Sequence, residues 1–200
     1  MKKMLGCGVV ALILIVLVGG LFIWGVGVNN ALVRNQVAVD AAWSQVENVY
    51  QRRLDLIPNL VETVKGAANF EKGTLEAVIE ARAKATQMVI SPEVLNDPGK
   101  FRQFQQVQGE LSSALTRLMA VAEAYPDLKA NRNYLELQSQ LEGTENRIAQ
   151  ERMRFNTTVQ TYNTAIRVFP ASLVAGFRGF DKKEFFAADP GAEKVPQVKF

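Results

Sequence analysis

The side chains best placed to do chemistry lie between residues 123 and 163. Glu142, Glu145, Asn146, Arg147 and Arg152 cluster in a stretch with helical periodicity, and Glu123 follows an apolar run upstream. Two carboxylates beside an arginine have the composition of a general acid–base pair with an electrostatic partner. The same composition serves as an ion-pair network between helices, and such networks perturb titration without turnover. The structural use is the expected one. Phe155-Asn156 and Tyr162-Asn163 repeat an aromatic–Asn pair with heptad spacing. Asn at a packing seam fixes helix register at a cost in stability.

Composition closes most other routes to catalysis. The chain has no His and a single Cys, Cys7. Zinc sites built from Cys and His are therefore excluded, as are Ser-His-Asp and Cys-His hydrolases. No Gly-rich phosphate loop, G-x-S-x-G elbow or Asp-rich calcium loop occurs. The chain reads as a non-enzyme, with no catalytic residue, no metal site and no cofactor. Of its net charge of +3, Lys2 and Lys3 contribute two, so the remainder is nearly neutral despite a pI of 9.0. With no Lys/Arg-rich block and no stacking platform of aromatics, nucleic acid is set aside as a partner.

These residues need elements to position them, and the elements are helical. From residue 29 the apolar residues recur at alternating steps of three and four: Leu32, Val39, Trp43, Val46, Tyr50, Leu54, Ile57, Val61, Val64 and Ala68, with Gln36 in the missing place. That spacing keeps one helix face toward a partner. Pro58 falls inside the pattern and removes a backbone donor, so a kink near Leu54 to Pro58 is expected. Arg52, Arg53 and Asp55 lie off the stripe and read as a solvated face. A second helix is expected over 71–90, a loop over 91–99, and a third helix over 100–124. The third carries Phe101, Phe104, Gln108, Leu111, Leu115, Leu118 and Ala122 on one face and is stopped by Tyr125-Pro126-Asp127. The fourth begins at Asn131, a good N-cap type. Its stripe runs from Tyr134 to Phe169, and Pro170 ends it. Four amphipathic helices with short turns favour an elongated antiparallel bundle over 29–170. The tail, 171–200, mixes breakers (Gly176, Gly179, Pro190, Gly191, Pro196) with Phe177, Phe180, Phe185, Phe186 and Phe200. It is expected to be irregular and to pack on the bundle, the alternative being that some phenylalanines meet a partner or a membrane surface.

The amino terminus settles location. Residues 4–28 contain no charge and follow Lys2 and Lys3. About 20 apolar residues span the ~30 Å hydrocarbon core. A secretory signal has an apolar centre of only about 7–15 residues, so an uncleaved anchor is expected. A lipoprotein reading of Leu5-Gly6-Cys7 fails because the bulk of the apolar segment follows Cys7. Leu5, Val9, Leu12, Ile15 and Leu21 are the anchor's lipid-facing candidates, and Trp24 suits the outer interface. Residues 1–3 are placed in the cytoplasm by the Lys/Arg bias, with the helical domain on the extracytoplasmic side of the membrane.

The chain also resembles the LemA family of bacterial membrane proteins over nearly its whole length. The matching stretches include Ala42-Trp-Ser44, Arg53-Leu-Asp-Leu-Ile-Pro-Asn-Leu60, Glu123-Ala-Tyr-Pro-Asp-Leu-Lys129, Leu141-Glu-Gly-Thr-Glu-Asn-Arg-Ile148, Tyr162-Asn163 and Phe169-Pro170. Phe155 departs from the tyrosine more usual in the family, which removes a hydroxyl. The resemblance implies an amino-terminal anchor, a four-helix bundle and no established catalytic site. Family members look like accessory proteins. Some are encoded near a membrane zinc metalloprotease of the HtpX type, and one branch takes part in shaping magnetosome membranes. The candidate structural or interaction positions are Trp43, Arg53, Pro58, Glu123, Tyr125, Glu142, Glu145, Asn146, Arg147, Asn156, Tyr162 and Asn163. The expected function is a membrane-anchored scaffold or adaptor of the envelope that binds itself. The alternative is an accessory subunit of a membrane protease or another envelope machine.

Overall fold

The computed structural model describes residues 2–66, 70–88 and 92–187, the side chains of 2–11, 92 and 93 excepted. Among these residues the structure is all helical. Helix α1 runs Lys2–Lys65, α2 Lys72–Gln87, α3 Pro98–Ala122, the single turn α4 Pro126–Lys129, α5 Arg132–Ala165 and α6 Ala171–Arg178. The segment read as a loop before α3 contains a 3-10 turn, Pro92–Asn96. The expected positions Ala68, Val89, Ile90, Ser91, Pro190, Gly191, Pro196 and Phe200 lie outside the described residues, as do the side chains of Leu5 and Val9.

Helix α1 has the length and apolarity to cross a membrane. Its amino-terminal side chains lie on the outside: Leu12, Ile15, Leu21 and Phe22 are exposed, and Trp24 is 40% exposed. Exposed apolar residues in an unbroken row need a non-aqueous surrounding.

The chain divides into two compact units, one of residues 1–41 and 158–182, the other of 42–157 and 183–200. The first contains the apolar part of α1, the end of α5 and α6. It buries Leu32, Val39, Val159, Tyr162, Asn163, Ile166 and Ala175. The Tyr162 hydroxyl donates to the Asp181 carbonyl at 3.0 Å. Burial, then the carboxylates of Asp181 and Asp40, hold the Tyr162 pKa above its ordinary value.

The second unit has a core drawn from all its helices: Leu54, Ile57, Leu60 and Val64 of α1, Val78 and Ala85 of α2, Leu111, Leu115 and Leu118 of α3, Leu128 of α4, and Tyr134 and Leu141 of α5. Burying each Val, Leu or Ile of this core is worth about 1.5–3 kcal/mol relative to leaving it in water. The helix ends follow local chemistry. The Asp97 carboxylate accepts from the N–H groups of Gly99 and Lys100, which caps α3 and lowers the Asp97 pKa. The Asn131 side chain accepts from the N–H groups of Asn133 and Tyr134 at the start of α5. Both caps satisfy donors that a helix start leaves orphaned.

Helix α1 carries on through Pro58. Proline has no N–H to give the carbonyl of the residue four before it. That carbonyl, Leu54, instead accepts from Arg82 Nε of α2 at 3.1 Å. A tertiary contact thus replaces the missing backbone bond.

Two expectations are corrected. The fourth long helix, α5, stops at Ala165, short of Pro170. Ile166 is still buried, but Phe169, read as the end of the packing stripe, is 74% exposed. The tail is also not irregular from its start, because residues 171–178 form α6. Gly179 takes φ +72°, and the Phe180 N–H returns to the Ala175 carbonyl at 3.0 Å. The left-handed turn that ends α6 is one glycine adopts without steric cost.

Candidate functional site

The most concentrated polar chemistry of the second unit centres on Arg53. This side chain is 1% exposed. The expectation of a solvated face was wrong for a geometric reason. Arg53 stands three residues after Tyr50 and four before Ile57, so it shares their side of the helix. The buried face of α1 is wider than one seam because other helices cover it on more than one side.

The Arg53 guanidinium is held by two neighbouring helices. Its Nη1 donates to Glu145 Oε1 of α5 at 2.5 Å and to Ser112 Oγ of α3 at 2.7 Å. Its Nη2 donates to the side-chain oxygen of Gln108 and, at 3.5 Å, to the Gln108 carbonyl. The guanidinium carbon lies 5.1 Å from the centre of the Tyr50 ring, a cation–π contact. Glu145 keeps 40% side-chain exposure, so the pair joins a buried cation to a partly wet carboxylate. Arginine suits this role because its fork can meet several acceptors at once.

A cleft of about 650 Å³ opens beside this group. Arg53, Gln108, Ser112 and Glu145 line it, with Tyr50, Arg152 and Phe186. Its rim includes the carboxyl-terminal segment. Asn156 forms two bonds with the backbone of Phe186: its Nδ2 donates to the carbonyl at 3.0 Å, and its Oδ1 accepts from the N–H at 2.9 Å. The amide side chain thereby pairs with the segment as a neighbouring strand would. Arg152 donates to the Ala187 carbonyl and stacks its guanidinium over the Phe186 ring at 4.9 Å. Gln105 accepts from the Ala187 N–H, and buried Lys183 donates to Asn96.

Phe186 also enters an aromatic cluster. Trp43, fully buried, lies 5.3–6.1 Å from the rings of Phe101, Phe104, Phe155 and Phe186. Tilted and edge-on pairs of this kind add to the burial of their area. The Phe155 ring is surrounded by the rings of Trp43, Phe101 and Phe186.

The remaining sequence candidates are dispersed. Glu123 is exposed at the C-cap of α3. Tyr125 is the N-cap of α4, and its ring lies tilted against that of Phe70, 4.9 Å between centres. Glu142 is exposed and accepts from Gln138. Asn146 and Arg147 are exposed on α5. Of that acidic–basic cluster, Glu145 bonds to Arg53 and Arg152 lines the cleft beside it. Gln108 was visible as a polar residue within the apolar stripe of α3. Arg82 was likewise a polar residue in register with Leu75, Ile79, Thr86 and Val89 on the second helix. Ser112 and Gln105 carried no comparable signal. Among the described residues no group of three or more Asp, Glu, Cys or His could hold a metal ion.

The family model described as the LemA family matches residues 42–200, which contain the whole Arg53 centre, the aromatic cluster and the latched segment. The chain belongs to the LemA family. This LemA-family chain is 29% identical to the magnetosome protein MamQ of Magnetospirillum gryphiswaldense, over 84% of the chain and 69% of that relative. A second relative, magnetosome protein MamQ 2 of Paramagnetospirillum magneticum, is 27% identical over 82% of the chain and 66% of its own length. Protein LemA of Metamycoplasma hominis is 26% identical, over 82% of the chain and 71% of its own length. The alignments thus span about two thirds of these relatives.

Proposed function

We propose that this LemA-family protein is a membrane-anchored helical scaffold or adaptor of the bacterial envelope, which associates with copies of itself and catalyses nothing. The observation that carries the reading is α1. It passes without a break from the apolar span to Lys65, so no linker separates the anchor from the helical domain. Copies held in one membrane plane meet at a raised effective concentration, and weak contacts then suffice for assembly. The use of Glu145 supports the absence of catalysis: the one carboxylate of the central group is engaged by a buried arginine. The similarity to proteins named for the magnetosome fits a role beside a membrane.

The domain is placed on the extracytoplasmic side. A single cysteine at exposed position 139, in a chain with Cys7→Ser, will react with a membrane-impermeant maleimide in intact cells. Protection until lysis would reverse the topology. Crosslinking in native membranes will return multiples of the chain. A ladder of monomers alone would count against self-association, and one stoichiometric protease recovered in mild detergent would replace the scaffold by an accessory subunit.

A further inference from the structure

In the first unit, α6 and the turn before it carry a row of large apolar side chains on the outside. Val168 is 53% exposed, Phe169 74%, Leu173 64% and Phe177 92%. Leu173 and Phe177 are one helical turn apart and share a face, whereas Ala175, pointing elsewhere, is buried. The segment is fixed in place. Arg178 Nε donates to Asn29 Oδ1 at 3.1 Å, and Tyr162 holds Asp181 just beyond the helix. Asn29 directly follows the charge-free run that ends at Val28. The apolar row therefore stands at the level where the spanning helix leaves the hydrocarbon. Arg167, Arg178 and Lys182 outnumber Asp181 around it, which is the charge balance that lipid phosphates favour.

We propose that α6 is a second membrane contact, which lies in the headgroup layer of the domain-side leaflet with Phe169, Leu173 and Phe177 dipped toward the acyl chains. A lipid surface is the occupant because the apolar row is continuous with the membrane-crossing segment through the Arg178–Asn29 bond. The same fourfold set of exposed side chains in water would be a large uncovered patch. The contact rests on the reading of residues 4–28 as spanning, and it gives the protein two points of attachment to one leaflet.

Full-length protein with Cys7→Ser is reconstituted into vesicles of phosphatidylcholine and phosphatidylglycerol, with a single environment-sensitive fluorophore on Phe177→Cys, Ile15→Cys or, on the exposed side of α5, Ser139→Cys. Quenchers are carried on lipid acyl chains at shallow or deep positions. The label at 177 is expected to lose most of its emission to the shallow quencher, the label at 15 to the deep quencher, and the label at 139 to neither. If 15 is quenched while 177 behaves as 139 does, the span stands and the second contact is overturned. If 15 also escapes quenching, the spanning reading fails and the contact with it. Because Phe177 is exposed, its replacement leaves folding intact, which circular dichroism of the labelled chain will check.

Discussion

Trp43 and Arg53 occupy the same helix, are both buried, and surround themselves in opposite ways. Around Trp43 four phenylalanine rings close a dry cluster. Around Arg53 a hydroxyl, a carboxylate and a glutamine gather beside an open cleft. The aromatic region gains free energy from area removed from water, without fixed direction. The polar region gains little net energy, because desolvation of the cation offsets its ion pair. Its bonds do have direction: Arg53 meets Gln108 and Ser112 of α3 and Glu145 of α5 at once. One region holds the helices by buried area, the other by directed bonds between them. Phe186 belongs to both, since it packs on Trp43 and lines the cleft.

The contrast can be broken from either side. Trp43→Ala will cost the most, about 3–5 kcal/mol in chemical denaturation, since it empties a fully buried ring site. Glu145→Ala comes next, at about 1–3 kcal/mol: a stranded buried cation is costly, but the exposure of Glu145 lets water take up part of the loss. Glu145→Gln should cost less, because it keeps an acceptor near Arg53. Asn156→Ala removes both bonds to Phe186 and is expected to cost about 1–2 kcal/mol. Its sharper signature is faster hydrogen exchange at Phe186 and Ala187 with little change elsewhere.

Arg82→Ala will cost about 1 kcal/mol by stranding the Leu54 carbonyl. In a Pro58→Ala background, where residue 58 regains its N–H, the same replacement should cost measurably less, and a double-mutant cycle reads the difference. The smallest effect is expected from Tyr162→Phe near neutral pH, where one hydroxyl bond is lost. The folded-state pKa of Tyr162 is raised, so its contribution is full below the unfolded value near 10 and is lost as pH rises through the folded value. Alkaline titration of stability should therefore be shallower in Tyr162→Phe.

The helices were legible where local chemistry and periodicity agree. Asn131 caps α5 because its short amide reaches the second and third N–H groups of the helix. The stripe of α3 is buried as spaced, including Gln108. Arg53 was misread because its residue type argues for solvent, and only the packing of further helices around α1 overrules that argument. The tail was half legible. Gly176 and Gly179 read as breakers, yet Gly176 is carried inside α6 and Gly179 terminates it. Nor does a phenylalanine count tell Phe186, which is latched by Asn156, from Phe177, which is covered by no protein. Pro58 marks the Leu54 carbonyl as short of a donor, and Arg82 stands on the packing stripe of α2, but nothing in the sequence pairs the two.

The central claim is that the Arg53 centre joins α1, α3 and α5 as a structural contact, for which packed hydrocarbon can stand in. The most direct test replaces it with hydrocarbon, Arg53→Met and Glu145→Met in one full-length chain, and measures thermal stability and crosslinked assembly in native membranes together. The account predicts a folded chain, more stable than either single variant, whose assembly matches the parent. A well-folded double variant that has lost assembly or its cellular role would contradict it.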